Sequence, residues 1–206
     1  VTSDFRTWAA TAREDHNRAL DAFLARHLDD VDRLARWCAK TLAAGGRLLF
    51  FGNGGSAADA QHLAAEFVNR FDRDRRALAA LALTTDPSVV TSIGNDASFD
   101  EIFARQVEAH GRKGDVAIGI TTSGNSPNVL RGLAAARARG LLTAALLGRD
   151  GGAASNLADL PLVVPFGETA RIQEVHIFAG HLLCRRVEDL IASHPDALTS
   201  SGPEDS

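Results

Sequence analysis

The 206-residue sequence has no methionine and no tyrosine, and its only lysines are Lys40 and Lys113, among many arginines. The missing residues and the preference for arginine point to a GC-rich coding sequence and say nothing about fold. The scarcity of lysine excludes more. Lys40 falls in the N-terminal helical region and Lys113 just before an apolar run, so neither occupies a loop after a strand. Chemistry through a lysine Schiff base is therefore not expected. Cysteine is scarce as well. Cys38 and Cys184 are far apart, each inside an apolar helical pattern, and read as buried free thiols. No stretch approaches the ~20 apolar residues of a membrane span. The N-terminus carries Asp4 and Arg6 without an apolar signal core, so no secretory leader and a cytoplasmic location are expected. An excess of positive charge is also absent. Lys plus Arg number 22 against 26 Asp plus Glu, a net charge of −4, which argues against a nonspecific nucleic-acid surface. A local pocket for an anion stays open.

Hydrophobic residues make up 45% and charged residues 23%, the ordinary balance of a globular protein. The length suits one α/β domain with at most a helical extension, and its core needs no metal or disulfide to hold it. No internal repeat is visible. The first 44 residues read as two helices. Ser3 or Asp4 caps the first, which joins the second near His27 to Asp30, and Gly45-Gly46 ends the pair. Five short apolar runs follow: Arg47 to Phe51, Leu78 to Leu83, Val116 to Ile120, Thr143 to Leu147 and Leu160 to Val164. Each is nearly continuous in hydrophobicity and is followed by turn residues, as in strands buried on both faces of a parallel sheet. Their alternation with helices predicts a three-layer α/β sandwich, with functional loops after the strands. A last long helix is predicted from Thr169 to about Ser193. The tail from His194 to Ser206, rich in Ser, Pro, Asp and Glu, reads as disordered. Residues 1–193 are thus expected to form one domain.

Two loops after strands carry ligand chemistry. The first, Gly52-Asn53-Gly54-Gly55-Ser56, runs into a helix predicted over Ala57 to Phe71. Glycines let N–H groups approach a ligand, and a helix starting at Ser56 adds partial positive charge; a simple tight turn is the plainer reading. The second, Thr121-Thr122-Ser123-Gly124-Asn125-Ser126, precedes Pro127 in the first turn of a helix. It gathers four hydroxyls where capping would need one, which suits a phosphate held by neutral donors. Neither loop ends in the Gly-Lys-Ser/Thr of a nucleotide-hydrolysing loop, and the first lacks the dinucleotide-binding spacing.

His62 and Glu66 lie four apart, on one helix face, one or two turns after the glycine loop. Such a pair can chelate a divalent metal, serve as acid and base, or be a plain surface pair. The last helix carries Gln173, His176 and His181. Gln173 and His181 are eight residues apart, about 12 Å along a straight helix. If both serve one small metal site, either the helix bends or two subunits each supply part.

Taken together, Gly52 to His62 with Glu66, Gly94-Asn95-Asp96, Thr122 to Ser126, Gly148-Arg149-Asp150-Gly151-Gly152, and Arg171-Ile172-Gln173-Glu174 with His176 and His181 resemble the bacterial phosphoheptose isomerases of the sugar isomerase superfamily. The resemblance covers roughly residues 4 to 192. It implies interconversion of D-sedoheptulose 7-phosphate and D-glycero-D-manno-heptose 7-phosphate. It also implies a flavodoxin-like five-stranded parallel sheet, a homotetramer with sites at subunit interfaces, and a divalent metal, usually zinc. By the same resemblance His62, Glu66, Gln173 and His181 match metal ligands, with Glu66 also the catalytic base and His181 the acid. Asn53, Gly54, Gly55, Ser56, Glu66, Asn95, Asp96, Thr121, Thr122, Ser123, Ser126 and Gln173 match the substrate-binding set. Thr121 stands where the family often has Ser, which keeps the hydroxyl. The Arg-rich stretch from Phe71 to Ala77 is less typical and receives no role.

The residues agree with that chemistry. An aldose–ketose exchange moves one proton between C1 and C2, which a carboxylate can remove and return. A histidine can serve the oxygens, and a metal can polarise the carbonyl. No nucleotide, redox cofactor, nucleic acid or membrane is called for. Two other readings remain at this point. One is a non-catalytic tetramer of the same fold that binds a replication initiator, a class that has lost the carboxylate present here as Glu66. The other is a different sugar-phosphate isomerase or sensor.

Overall fold

The computed structural model describes residues 4–193; the predicted disordered tail lies outside them. A single helix α1 (Phe5–Ala43) leads into β1 (Leu48–Gly52), α2 (Gly55–Val68), β2 (Ala80–Ala82), α3 (Pro87–Asp96), α4 (Ile102–His110), β3 (Val116–Thr121), α5 (Pro127–Ala138), β4 (Leu142–Gly148), β5 (Leu160–Val164) and α6 (Thr169–Ala192). The five strands form one sheet in the order β2-β1-β3-β4-β5, and every neighbouring pair is parallel. This is the flavodoxin-like order.

Side chains alternate across the sheet. Leu48, Phe50, Val116, Ile118, Ile120, Leu146 and Leu162 join α1, α2 and α6 in one core. Leu49, Phe51, Ala117, Ala145 and Leu147 join α4 and α5 in the other. The central strands β1 and β3 are therefore buried at every position, which is why they read as unbroken apolar runs. The three-layer sandwich expected from the runs is what the chain forms.

The predicted pair of N-terminal helices is one helix. No Gly or Pro interrupts Phe5–Ala43, and the polar cluster taken for a junction is a stitch. His27 Nδ1 lies 2.9 Å from Asp30, its Nε2 accepts the Val163 N–H at 3.2 Å, and its ring packs on Phe23. With Nε2 as acceptor, Nδ1 carries the proton and donates to Asp30. The histidine thus serves an edge strand without breaking the helix. Asp4 occupies the N-cap position but makes no side-chain capping bond. The run Leu78 to Leu83 yields only three ladder residues. Leu78 donates its N–H to the Phe67 carbonyl, outside the ladder. The helix predicted over Ala57 to Phe71 starts two residues earlier and ends at Val68. Cys38 and Cys184 are free and buried, and burial pushes both thiols well above their ordinary range. Among the described residues no helix is long and apolar enough to cross a membrane.

Candidate active site

The chain leaves β1 towards β2 on one side and returns to β3 on the other, so the loops after β1 and β3 flank the point where strand order reverses. Open α/β sheets hold ligands there. The two loops and the first turn of α6 enclose a cavity of about 290 Å³. Asn53, Gly54, Gly55 and Ser56 line it from the first loop and Thr121, Thr122 and Ser126 from the second. Thr169 and Gln173 enter from α6. None of its lining residues is Lys, Arg or His. The N-termini of α2, α5 and α6 all begin at its wall, so the charge available to an anion comes from helix ends and N–H groups.

Local sequence explains this geometry. Gly54 caps α2 at φ 55° and ψ −120°, a backbone state that side chains other than glycine's strongly disfavour. A Cβ on Gly55 would collide with the Gln173 carboxamide, so glycine there admits α6 to the loop. Ser126 precedes Pro127 at the start of α5 but makes no capping bond; its hydroxyl lies 3.0 Å from Thr121 Oγ1. Ser123 does not line the cavity. Its hydroxyl accepts the Asn125 N–H at 3.2 Å and lies 3.3 Å from Thr121 Oγ1.

A second cluster forms where the far end of α2 meets α6. His62 Nε2 lies 2.9 Å from His181 Nε2 and 3.4 Å from Glu66 Oε1. The imidazoles meet edge to face at 5.2 Å, and the Phe71 ring lies 5.4 Å from that of His181. Burial lowers the His181 pKa from its ordinary value, and His62 lowers it further against the opposing pull of Glu66. His181 is thus biased towards its neutral form, in which it can give or take a proton.

The metal ligand set divides. His62, Glu66 and His181 bring two imidazoles and a carboxylate into one cluster, residue types that suit zinc and similar ions. Two nitrogens on one tetrahedral zinc stand about 3.3 Å apart, so this pair needs to open by a few tenths of an ångström to receive one. Among the described residues no three His, Cys, Asp or Glu side chains are already arrayed around a metal position. Gln173 is not with them; α6 is one uninterrupted helix, and Gln173 faces Gly55 at the cavity. His176 belongs to neither group. It is fully buried, its Nε2 bonds the Leu147 carbonyl at 2.9 Å, and burial lowers its pKa to about 4.

Asn95 and Asp96 also stand apart. They end α3, exposed, with Asn95 donating to Asp96 at 2.8 Å, and Asp96 borders a separate open cleft beside Arg105. Two residues near the site were not anticipated. Asn128, 2% exposed, exchanges two 2.8 Å hydrogen bonds with Asn53. Its signal was a polar residue on the stripe Asn128, Gly132, Leu133, Ala136 that α5 buries. Asp59 shares the face of His62 and Glu66. Its Oδ2 is buried without a hydrogen-bond partner, and burial raises its pKa to about 6, against a smaller opposing effect of His62. Its signal was the spacing 59, 62, 66 on one helix face.

The SIS domain model matches residues 13–148. The phosphoheptose isomerase of Paramagnetospirillum magneticum is 57% identical over 188 residues, covering 91% of this chain and 98% of that protein. This chain belongs to the phosphoheptose isomerase family. Solved structures of phosphoheptose isomerases agree. GmhA from Neisseria gonorrhoeae superposes with a TM-score of 0.86 at 42% identity, over 90% of this chain and all of that one. The Francisella tularensis protein gives 0.87 at 33% identity, over 90% of this chain and 99% of that one. Membership extends beyond the SIS model, since these alignments take in most of α6, which carries Gln173 and His181.

Proposed function

We propose that this chain interconverts D-sedoheptulose 7-phosphate and D-glycero-D-manno-heptose 7-phosphate by proton transfer through an enediolate. The observation that carries the reading is the join of Glu66 with the His62–His181 pair, in a chain that also builds a hydroxyl-lined anion cavity without basic residues. Glu66 takes the proton from one of C1 and C2 and returns it to the other. His181, biased towards neutrality, serves the oxygens between which a proton also moves. The phosphate is held by the hydroxyls of Thr121, Thr122 and Ser126 and by the N–H groups of the first loop. The reaction moves protons and no net electrons, so it calls for no nucleotide or redox cofactor.

The same reading takes a divalent metal, zinc by preference, on His62, Glu66 and His181. When bound it supplies Lewis acidity to the carbonyl and enediolate oxygens. A site completed by Gln173 then draws that residue from a second copy, because Gln173 and His181 are about 12 Å apart along one helix. The substrate's length argues the same way. Gly55 and Glu66 are about 16 Å apart along α2, a span that one copy covers only with a fully extended substrate and the Glu66 side chain turned back along the helix. One copy's cavity is therefore paired with another copy's Glu66, in a homotetramer with sites between subunits. The exposed, stacked Phe5 and Trp8 rings at the start of α1 support self-association. Two buried free thiols suit the reducing cytoplasm.

The test is to incubate the purified protein with sedoheptulose 7-phosphate, with and without chelator, and follow the aldose product. Glu66→Gln is expected to lower turnover at least 100-fold, with circular dichroism and oligomeric mass unchanged. Turnover at the wild-type rate in that variant rejects Glu66 as the base.

A further inference from the structure

The Arg-rich segment after α2 has no part in the chemistry above, yet Glu188 on α6 holds its backbone and its own Arg75 reaches back to the end of α2. Glu188, on α6 and 2% exposed, accepts the backbone N–H groups of Phe71 at 2.9 Å, Asp72 at 3.0 Å and Arg73 at 3.0 Å. It also accepts Nε of Arg75 at 3.0 Å. The Arg75 side chain is 9% exposed. Its guanidinium donates to the Glu66 carbonyl at 2.7 Å, the Phe67 carbonyl at 2.9 Å and the Arg76 carbonyl at 3.1 Å. Burial works against the Glu188 charge, but the three N–H bonds and Arg75 outweigh it and hold the carboxyl below its usual range.

A buried ion pair is a weak source of stability, because well-packed apolar side chains commonly do as well. What this pair gives is placement. The last carbonyls of a helix lack partners within it, and Arg75 meets those of Glu66 and Phe67, in the turn that carries the Glu66 side chain. Glu188 lies seven residues beyond His181, two turns along the same face of α6. From there it holds the N–H of Phe71, whose ring lies against His181.

We propose that the Arg75–Glu188 pair is a positioning device for the proton-moving groups: Arg75 fixes the turn bearing Glu66, and Glu188 holds Phe71 against His181. The inference rests on the reading that Glu66 and His181 move protons. Small misplacements of reacting groups cost catalysis steeply, whereas the anion cavity lies at the opposite end of α2. Loss of the pair therefore lowers kcat and leaves KM alone.

The experiment compares Arg75→Gln, Arg75→Lys, Glu188→Gln and Phe71→Leu with wild type, well below each melting temperature. Turnover is expressed per folded site. Arg75→Gln and Phe71→Leu are expected to lose at least tenfold in kcat with KM within twofold, and Arg75→Lys to recover part of the loss. In parallel, the His181 ring resonances, read by NMR with labelled histidine, are expected to move in Phe71→Leu as the ring current is lost. The same movement is expected in Arg75→Gln and Glu188→Gln. Should Glu188→Gln fail to fold, the Arg75 and Phe71 variants carry the test. A kcat within twofold of wild type in both Arg75→Gln and Phe71→Leu overturns the proposal. So does a His181 resonance that Phe71→Leu shifts and Arg75→Gln leaves in place. A wild-type protein without turnover refutes the isomerase reading alone, and the resonances then decide the positioning claim.

Discussion

Asp59 is a carboxylate that the fold holds at a cost when it is ionised, and replacing it with asparagine tests that directly. Its Oδ2 is buried without a partner, and burial raises its pKa from 3.8 to about 6. In full, such a rise corresponds to about 3 kcal/mol. The group is only partly buried and solvent screens it, so about 1–2 kcal/mol is the figure to expect. The sign follows from linkage. The folded pKa lies above the unfolded one, so the protonated form favours folding. Well below pH 4 both states are protonated and the cost is absent. It grows between pH 4 and 6 and is complete above the folded pKa. Asp59→Asn removes the charge at every pH. Urea unfolding of chelator-treated protein should therefore show a gain of about 1 kcal/mol or more at pH 8, shrinking to a small fraction of that near pH 4. A gain of equal size at both pH values refutes the electrostatic argument. A loss of stability at pH 8 refutes it too, and means that the carboxylate has a partner the reasoning has missed.

Three other outcomes follow from the geometry. Gly55→Ala places a methyl group against the Gln173 carboxamide, the mobile end of a side chain. Stability should fall by less than about 1 kcal/mol, while affinity for the sugar phosphate, measured by calorimetry, falls at least tenfold. Asn128→Ala removes both bonds to Asn53 and should cost about 1–3 kcal/mol in urea unfolding, with a raised KM as Asn53 loses its orientation. His176, with a pKa of about 4, should show no titration by NMR between pH 8 and 5. Because its folded pKa is depressed, its contribution to stability is present above the unfolded value and is lost as pH falls through about 4.

The parts of this protein that could be read in its sequence are those where one local rule decides. Strands buried on both faces must be continuously apolar, so β1, β3 and β4 announced themselves within a residue or two. β2 did not, because Leu78 and Leu83 are buried like core strand residues although the strand is only Ala80–Ala82, and the Leu78 N–H turns to the Phe67 carbonyl in α2. Helix α1 was misread for a related reason. A histidine and two aspartates look like a junction until the edge strand that the histidine serves is in place. Loop chemistry was visible because glycines and hydroxyls declare themselves, whereas Asn128 was not, since its role exists only opposite Asn53, 75 residues away. The helix spacing of Gln173 and His181 posed the sharpest question, and α6 keeps the two residues apart. An uninterrupted helix sets the carboxamide against Gly55 and the imidazole against His62, at two stations of a parallel α2–α6 seam. Any substrate that touches both kinds of group must then lie across that separation or between copies. The proposed function takes the second course, with one copy's cavity facing another copy's Glu66.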